Sequence, residues 1–151
     1  MQVLAEEFEG RAHFPFIYVR EAHPGEVYPP HESAEQKFRH AWALRELGKK
    51  TAIAVDTLYG KVHRTYGGPS NMTVIVDHTG HIAYRAAWTV AEDIKDALEE
   101  VLEMAALKRA GKRLSTYYRE MLGIKRRTRP GEQVFLGGKK AEEDFRKNRG
   151  L

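Results

Sequence analysis

Glu21 and His23 are the side chains whose types and spacing best suit acid–base chemistry. They follow an apolar stretch, residues 14–19, whose aromatic and β-branched side chains predict a buried strand. Residues two positions apart point to the same side of an extended chain, so the carboxylate and the imidazole lie together at the strand's carboxyl end. In open α/β sheets ligands bind at this edge. Because imidazole titrates near neutral pH and a carboxylate fixes its tautomer, the pair predicts a proton-transfer site.

The same pair also has a purely structural interpretation, which the sequence leaves open. A carboxylate and an imidazole at a strand end can hydrogen-bond to each other without any catalytic role. The spacing of the other histidines predicts no metal site, which would need three or four converging ligands. Asp56 follows a second predicted strand, and its position predicts a helix cap.

The elements that position the pair are predicted in the order α, β, α, β, short α, β, β, α. Ser33 with Gln36 and Thr89 with Glu92 each predict a capping box at a helix start. The residues DHTG at 77–80 predict a hairpin turn. The predicted helices cover residues 1–10, 33–47, 59–66 and 89–110, and the predicted strands cover residues 14–19, 51–55, 73–76 and 82–85.

The helix after Ser33 is predicted to bury an apolar face that includes Phe38, Ala41 and Trp42. Further along, residues 115–122 and 139–147 predict two short helices. The charged stretch between them, IKRRTRPGE at 124–132, predicts a mobile segment. We expect the residues after Gly111 to make few contacts with the sheet.

Charge divides the chain unevenly. Residues 1–107 hold 11 Lys and Arg against 16 Asp and Glu, a net −5, whereas residues 108–151 hold 14 against 5, a net +9. This predicts an acidic domain over residues 1–107 and a basic, partly helical extension over residues 108–151. The sequence holds no cysteine, which excludes disulfides and thiol catalysis by the chain as written. No apolar run is long enough to span a bilayer and no secretory signal is present, so we expect a cytoplasmic protein.

Three stretches resemble the iodothyronine deiodinases. IYVREAHPGE at 17–26 resembles their VYIEEAH segment, and YPPHESAEQK at 28–37 resembles the stretch in which a histidine precedes a Ser-Leu-Glu-Asp-Arg helix start. AIAVDTL at 52–58 and YGGPSNMTVIVDHTGHIAY at 66–84 resemble the later strand, the Tyr-Gly turn and the final hairpin. The resemblance covers about residues 4–102.

This resemblance implies an α/β, thioredoxin-like fold in which two parallel strands and an antiparallel hairpin form one central mixed sheet, with the first strand missing. It implies an oxidoreductase that uses thiol or selenol chemistry, including reductive dehalogenation, on a small-molecule substrate with a thiol reductant and no cofactor. The nucleophile, a selenocysteine or cysteine after the first strand, is absent from this chain. We expect the codons upstream of Met1 to encode that strand and, about a dozen residues before Met1, a Cys or UGA codon.

The resemblance also implies roles for individual residues. His23 transfers protons, Glu21 orients its ring and Tyr18 supports both, so these three are the expected catalytic residues. His31 lines the substrate pocket, and Asn71 and Met72 belong to the substrate-binding turn. Met72 stands where the family has an arginine, and Asn71 stands where other thioredoxin-like proteins have a cis-proline.

Two other function classes stay open. The first is a non-catalytic thioredoxin-fold module that binds a small ligand or a protein partner in the same cleft, and an exposed sheet edge offers a route to a homodimer. The second is binding to nucleic acid or to a membrane surface through the basic extension. Nucleic-acid binding is the less favoured of these, because the basic stretch lacks interleaved aromatic residues that stack on bases.

Overall fold

The computed structural model describes residues 1–46, 51–69, 71–115, 118–121 and 137–149. These residues form an α/β protein whose helices and strands follow the predicted order as far as the fourth helix. The helices are α1 (Gln2–Glu7), α2 (Ala34–Glu46), α3 (Lys61–Thr65), α4 (Ala91–Arg109) and α5 (Lys139–Arg149). The strands are β1 (Phe16–Tyr18), β2 (Ile53–Val55), β3 (Thr73–Val76), β4 (Ile82–Ala86) and β5 (Arg119–Met121).

The strands pair in two small sheets. β1 and β2 are parallel, with Tyr18 opposite Val55, and β3 and β4 form an antiparallel hairpin, so both predicted pairings are confirmed. The prediction of one central sheet is wrong, because the second sheet has the order β3-β4-β5 and is separate from the first. The β1–β2 ladder is only three residues long, and no described strand joins it to the hairpin.

The chain is divided into two compact units. One contains Met1–His13 and Asn71–Arg126, and the other contains Phe14–Ser70 and Arg127–Leu151. Each unit therefore takes two separate parts of the chain. The predicted boundary between residues 107 and 108 falls inside α4.

The first unit is built around α4 and the hairpin. The buried positions of α4 recur at helical spacing, as the sequence predicts for one apolar face. In the hairpin turn, the Asp77 carboxylate accepts hydrogen bonds from the backbone N–H groups of Thr79 and His81, which confirms the predicted turn. The predicted capping box at Thr89 is wrong, since its hydroxyl donates to the Asn71 carbonyl instead. The buried α4 residues are Ile94, Ala97, Leu98, Val101 and Ala105.

The second unit contains α2, whose start is confirmed but whose buried face differs from the prediction. The Gln36 N–H donates to Ser33 Oγ at 3.1 Å, as a cap requires. Phe38 and Trp42 are 61% and 58% exposed, whereas Lys37 is 1% exposed. The predicted apolar face is therefore confirmed at Ala41, which is buried, and wrong at Phe38 and Trp42. The helix turns a lysine inward because the Lys37 amine finds backbone acceptors there.

The C-terminal extension differs from the prediction in one of its elements. Residues 119–121, inside the predicted helix 115–122, instead form β5, which pairs with β4 in parallel. Arg85 Nε and Glu120 Oε1 lie 3.6 Å apart across this ladder. This cross-strand ion pair supports β5, which lacks the apolar alternation by which a strand is predicted from sequence. The expectation of few sheet contacts after Gly111 is thus wrong, the helix predicted at 139–147 is confirmed as α5, and residues 124–132 lie outside the described residues.

Candidate functional site

The Tyr18 hydroxyl joins two of the predicted site residues at the carboxyl end of β1. It donates to Glu21 Oε2 at 3.0 Å and lies 3.1 Å from His31 Nε2. Tyr18 is 6% exposed. Burial first, and then the neighbouring Glu21 charge, raises the pKa of the Tyr18 phenol. The phenol therefore keeps its proton at neutral pH and donates it to a carboxylate, while its oxygen lies within hydrogen-bond distance of an imidazole.

A second imidazole extends this cluster. The His31 and His40 ring centroids lie 5.1 Å apart, and Tyr28 packs edge-on against His40 at 5.1 Å. Burial is the main cause that lowers the pKa of both histidines, and the His40 and Lys37 charges lower that of His31 further. His40 Nδ1 is buried without a hydrogen-bond partner among the residues that the structure describes. At neutral pH burial therefore favours the neutral form of both imidazoles, with His31 beside the phenol and His40 behind His31.

Lys37 holds the strand ends that carry this cluster. Its Nζ donates to the Val19 carbonyl at 2.5 Å and to the Thr57 carbonyl at 2.8 Å, so one side chain ties the end of β1 to the end of β2. Burial lowers the pKa of the Lys37 amine, and the nearby Asp56 charge opposes that effect. The strand ends are therefore fixed by a buried cation.

Asp56 supports the same region through a helix start. Its carboxylate accepts hydrogen bonds from the N–H groups of Thr57, Val62 and His63, at 2.7 to 2.9 Å, which confirms its predicted role as a cap. Burial alone would raise the pKa of Asp56, but these hydrogen bonds and the Lys37 charge together hold it below its ordinary value. Asp56 is therefore an anion at neutral pH and complements Lys37.

His23 lies against the C-terminal helix. Its ring packs edge-on against Phe145 of α5, with centroids 5.3 Å apart. A cavity of about 440 Å³ opens between this helix and the loop that joins β1 to α2, residues 19–33, called here the His23 loop. Its lining combines an imidazole, a carboxylate and an amide with apolar side chains: Ala22, His23, Pro24, Ala141, Asp144, Phe145 and Asn148.

Asn71 and Met72 belong to the other unit, just before β3. The Asn71 carbonyl accepts hydrogen bonds from the Thr89 N–H at 2.8 Å and from the Thr89 hydroxyl at 3.0 Å. These contacts fix the chain entering the hairpin. The expected role of Asn71 and Met72 in substrate binding stays a prediction.

No family model, curated protein or solved structure matches this chain. The resemblance to the deiodinases and the thioredoxin-like identity of the fold therefore stay predictions. Among the described residues, no group of three or more His, Asp or Glu side chains is arranged to hold a metal ion. None of the described helices combines the length and the apolarity that a bilayer span requires.

The structure therefore brings together Tyr18, Glu21 and His31, and it gives His23 a contact on α5. Sequence reasoning gave neither Lys37 nor His40 a role in the site. A signal for Lys37 was present, since it lies one turn before Ala41 and so shares the buried stripe of α2. A lysine on such a stripe needs acceptors, and strand-end carbonyls are suitable ones.

Proposed function

We propose that the Tyr18 cluster transfers protons for a thiol- or selenol-dependent reduction of a small molecule, within a thioredoxin-like domain of the deiodinase type. The observation that carries this proposal is the Tyr18 hydroxyl, held within hydrogen-bond distance of both Glu21 and His31. General acid–base catalysis needs a proton held between groups that can accept and return it. The cluster stands at a strand's carboxyl end, where α/β proteins bind ligands.

The chemistry assigns a task to each group. In reductive dehalogenation two thiols supply two electrons, the halide leaves, and a proton replaces the halogen on carbon. The Tyr18 phenol passes such a proton to the substrate and is reprotonated through His31, by a proton that the two thiols release when they are oxidised. The nucleophile is not among these 151 residues, since the sequence holds no cysteine. The reaction therefore requires a thiol or selenol that lies outside the given sequence.

The experiment begins with the in-frame codons upstream of Met1. The chain extended by those codons is expressed and assayed for iodide release from an iodinated phenol in the presence of dithiothreitol. We expect a Cys or UGA codon upstream and measurable release. Tyr18→Phe should reduce the rate about 100-fold, the lower end of what general acid–base catalysis contributes.

Tyr59→Phe is the matched control, because Tyr59 is 78% exposed and its loss of a hydroxyl should leave the rate unchanged. An upstream frame without such a codon, combined with no iodide release, contradicts the redox role. Equal rates for Tyr18→Phe and the control would remove Tyr18 from the mechanism while leaving the reaction class intact.

A second candidate function is favoured by the cavity beside His23. Its lining combines three polar side chains, His23, Asp144 and Asn148, with apolar ones, as small-ligand sites do. A binding module needs no nucleophile and so fits a chain without cysteine. If the extended chain shows no redox activity, binding of small aromatic probes to this cavity, followed by chemical shifts at His23, tests this alternative.

A further inference from the structure

The C-terminal helix α5 is attached to the His23 loop by a carboxylate from that loop. Glu26 accepts the backbone N–H of Lys139 through Oε1 at 2.8 Å and that of Lys140 through Oε2 at 3.2 Å. The first N–H groups of a helix have no partner within the helix, so Glu26 satisfies two of them from another part of the chain. The hydrogen bonds from its own N–H and from those of Lys140 and Lys139 hold the pKa of Glu26 below its ordinary value.

Glycines allow the two segments to approach closely. A Cβ at Gly25 would overlap the Gly137 carbonyl, and one at Gly137 would overlap the His23 carbonyl. The Val27 N–H donates to that same Gly137 carbonyl at 3.2 Å. Gly138 has φ +96°, a conformation that side chains other than glycine rarely adopt. The attachment therefore depends on particular residues in both segments.

The helix α5 brings two apolar side chains, Ala141 and Phe145, to its docked position. Eight of its eleven residues, KKAEEDFRKNR, are charged. Ala141 is buried at 2% exposure, and Phe145 is half-buried against the His23 ring. A helix of this length is only marginally stable alone in water, so folding of α5 depends on its docking. Loss of the Glu26 contact should thus release and unwind the helix together.

We propose that α5 is a releasable cover over His23, held closed by Glu26. In the closed state Phe145 lies against the imidazole and α5 forms one wall of the cavity. In the open state the imidazole and the floor of the cavity face solvent. Access to His23 is then set by the fraction of molecules in which α5 has left, whether His23 serves a redox reaction or ligand binding.

The experiment measures how fast diethylpyrocarbonate modifies His23 in the full chain, with each histidine resolved by mass spectrometry. Glu26→Gln weakens the attachment at a distance from the ring, and Gly25→Ala removes the close approach to Gly137. Loss of a helix cap typically raises the fraction of molecules with an unfolded helix start several-fold. We therefore expect the rate of His23 modification to rise roughly three- to tenfold in both variants. Glu32→Gln, a change at an exposed residue of the same type, should leave the rate unchanged.

Hydrogen exchange of the same variants separates release of the cover from general unfolding. In the intact chain the α5 amides should exchange faster than those of β1 and β2, and Glu26→Gln should accelerate only the α5 amides. Equal protection of α5 and β1, or unchanged His23 modification in both variants, overturns the proposal. Acceleration by Phe145→Ala alone also overturns it, because the ring would then shield His23 without any latch. None of these readouts requires redox activity, so the cover and the proposed function can fail separately.

Discussion

Replacing Lys37 with methionine should destabilise the protein by about 3 kcal/mol. Methionine nearly matches the length of the lysine stem and keeps the apolar packing, so the change removes chiefly the charged amine. The amine donates two hydrogen bonds, to Val19 and to Thr57, and charged hydrogen bonds contribute about 1.5–3 kcal/mol each. The Thr57 carbonyl also accepts the Gly60 N–H at 2.9 Å and so keeps a partner. The larger share of the loss therefore comes from the Val19 carbonyl.

Urea unfolding followed by circular dichroism measures this loss directly. With an m value of about 2 kcal/mol per molar, 3 kcal/mol lowers the midpoint by about 1.5 M. Lys61→Met is the matched control: the Lys61 side chain is exposed, and surface changes of this kind usually stay within about 0.5 kcal/mol. The Lys37 charge also lowers the pKa of His31, so Lys37→Met should raise that pKa in an NMR titration.

Two results would refute this reasoning. If Lys37→Met and Lys61→Met unfold at the same urea concentration, the amine does not tie the strand ends together. If the variant is destabilised but the pKa of His31 does not rise, Lys37 supports the fold without acting on the cluster.

The other predictions concern the imidazoles, the hairpin and a helix cap. The pKa values of His31 and His40 are lowered in the folded state, so the unfolded chain binds more protons below about pH 6.5. The free energy of unfolding should therefore fall as the pH drops below that value. His40→Gln should make the midpoint of urea unfolding depend less on pH between about pH 7.5 and 5. The Thr79 hydroxyl, together with backbone N–H groups, lowers the pKa of Asp77 from 3.8 to about 2. The ionised Asp77 therefore stabilises the fold above pH 3.8, and this stabilisation is lost as the pH falls toward 2. Asp77→Asn should remove this acid-dependent loss of stability in thermal melts. Ser33→Ala should destabilise α2 by about 1 kcal/mol, measured by urea unfolding, whereas Ser33→Asp should not.

The sequence predicted the elements whose signals are local. The strand β1, the Ser33 cap and the DHTG turn each depend on neighbours within a few residues, and all three are confirmed. The prediction that the strand is buried is confirmed at Tyr18 and wrong at Ile17, which is exposed. The resemblance implied separate roles for Tyr18 and His31, but their contact was not predicted, because thirteen positions separate the two residues.

The missed features depend on pairing between distant segments. β5 has the sequence REM, which carries no apolar alternation, and it exists because β4 offers it a parallel partner. The helical stripe that Lys37 shares with Ala41 indicates its position, but the two strand ends that supply its acceptors are brought there by the fold. Because α2 turns the face that carries Lys37 inward, Phe38 and Trp42 on its other face are exposed. Non-local contacts thus decide what periodicity alone cannot.

Each of the two units is built from two segments that alternate along the chain, and this affects both the synthesis of the protein and its division into fragments. Glu26 and Lys139 are 113 positions apart, so at 5–20 residues per second the loop waits roughly 6–23 seconds for its helix to leave the ribosome. The parts of the two units alternate along the chain, so no single peptide-bond cut separates one unit from the other. Limited proteolysis at one site should therefore leave a nicked but associated pair of fragments. Mixing two separately expressed fragments, and testing whether they associate, is therefore the suitable way to study the units of this chain.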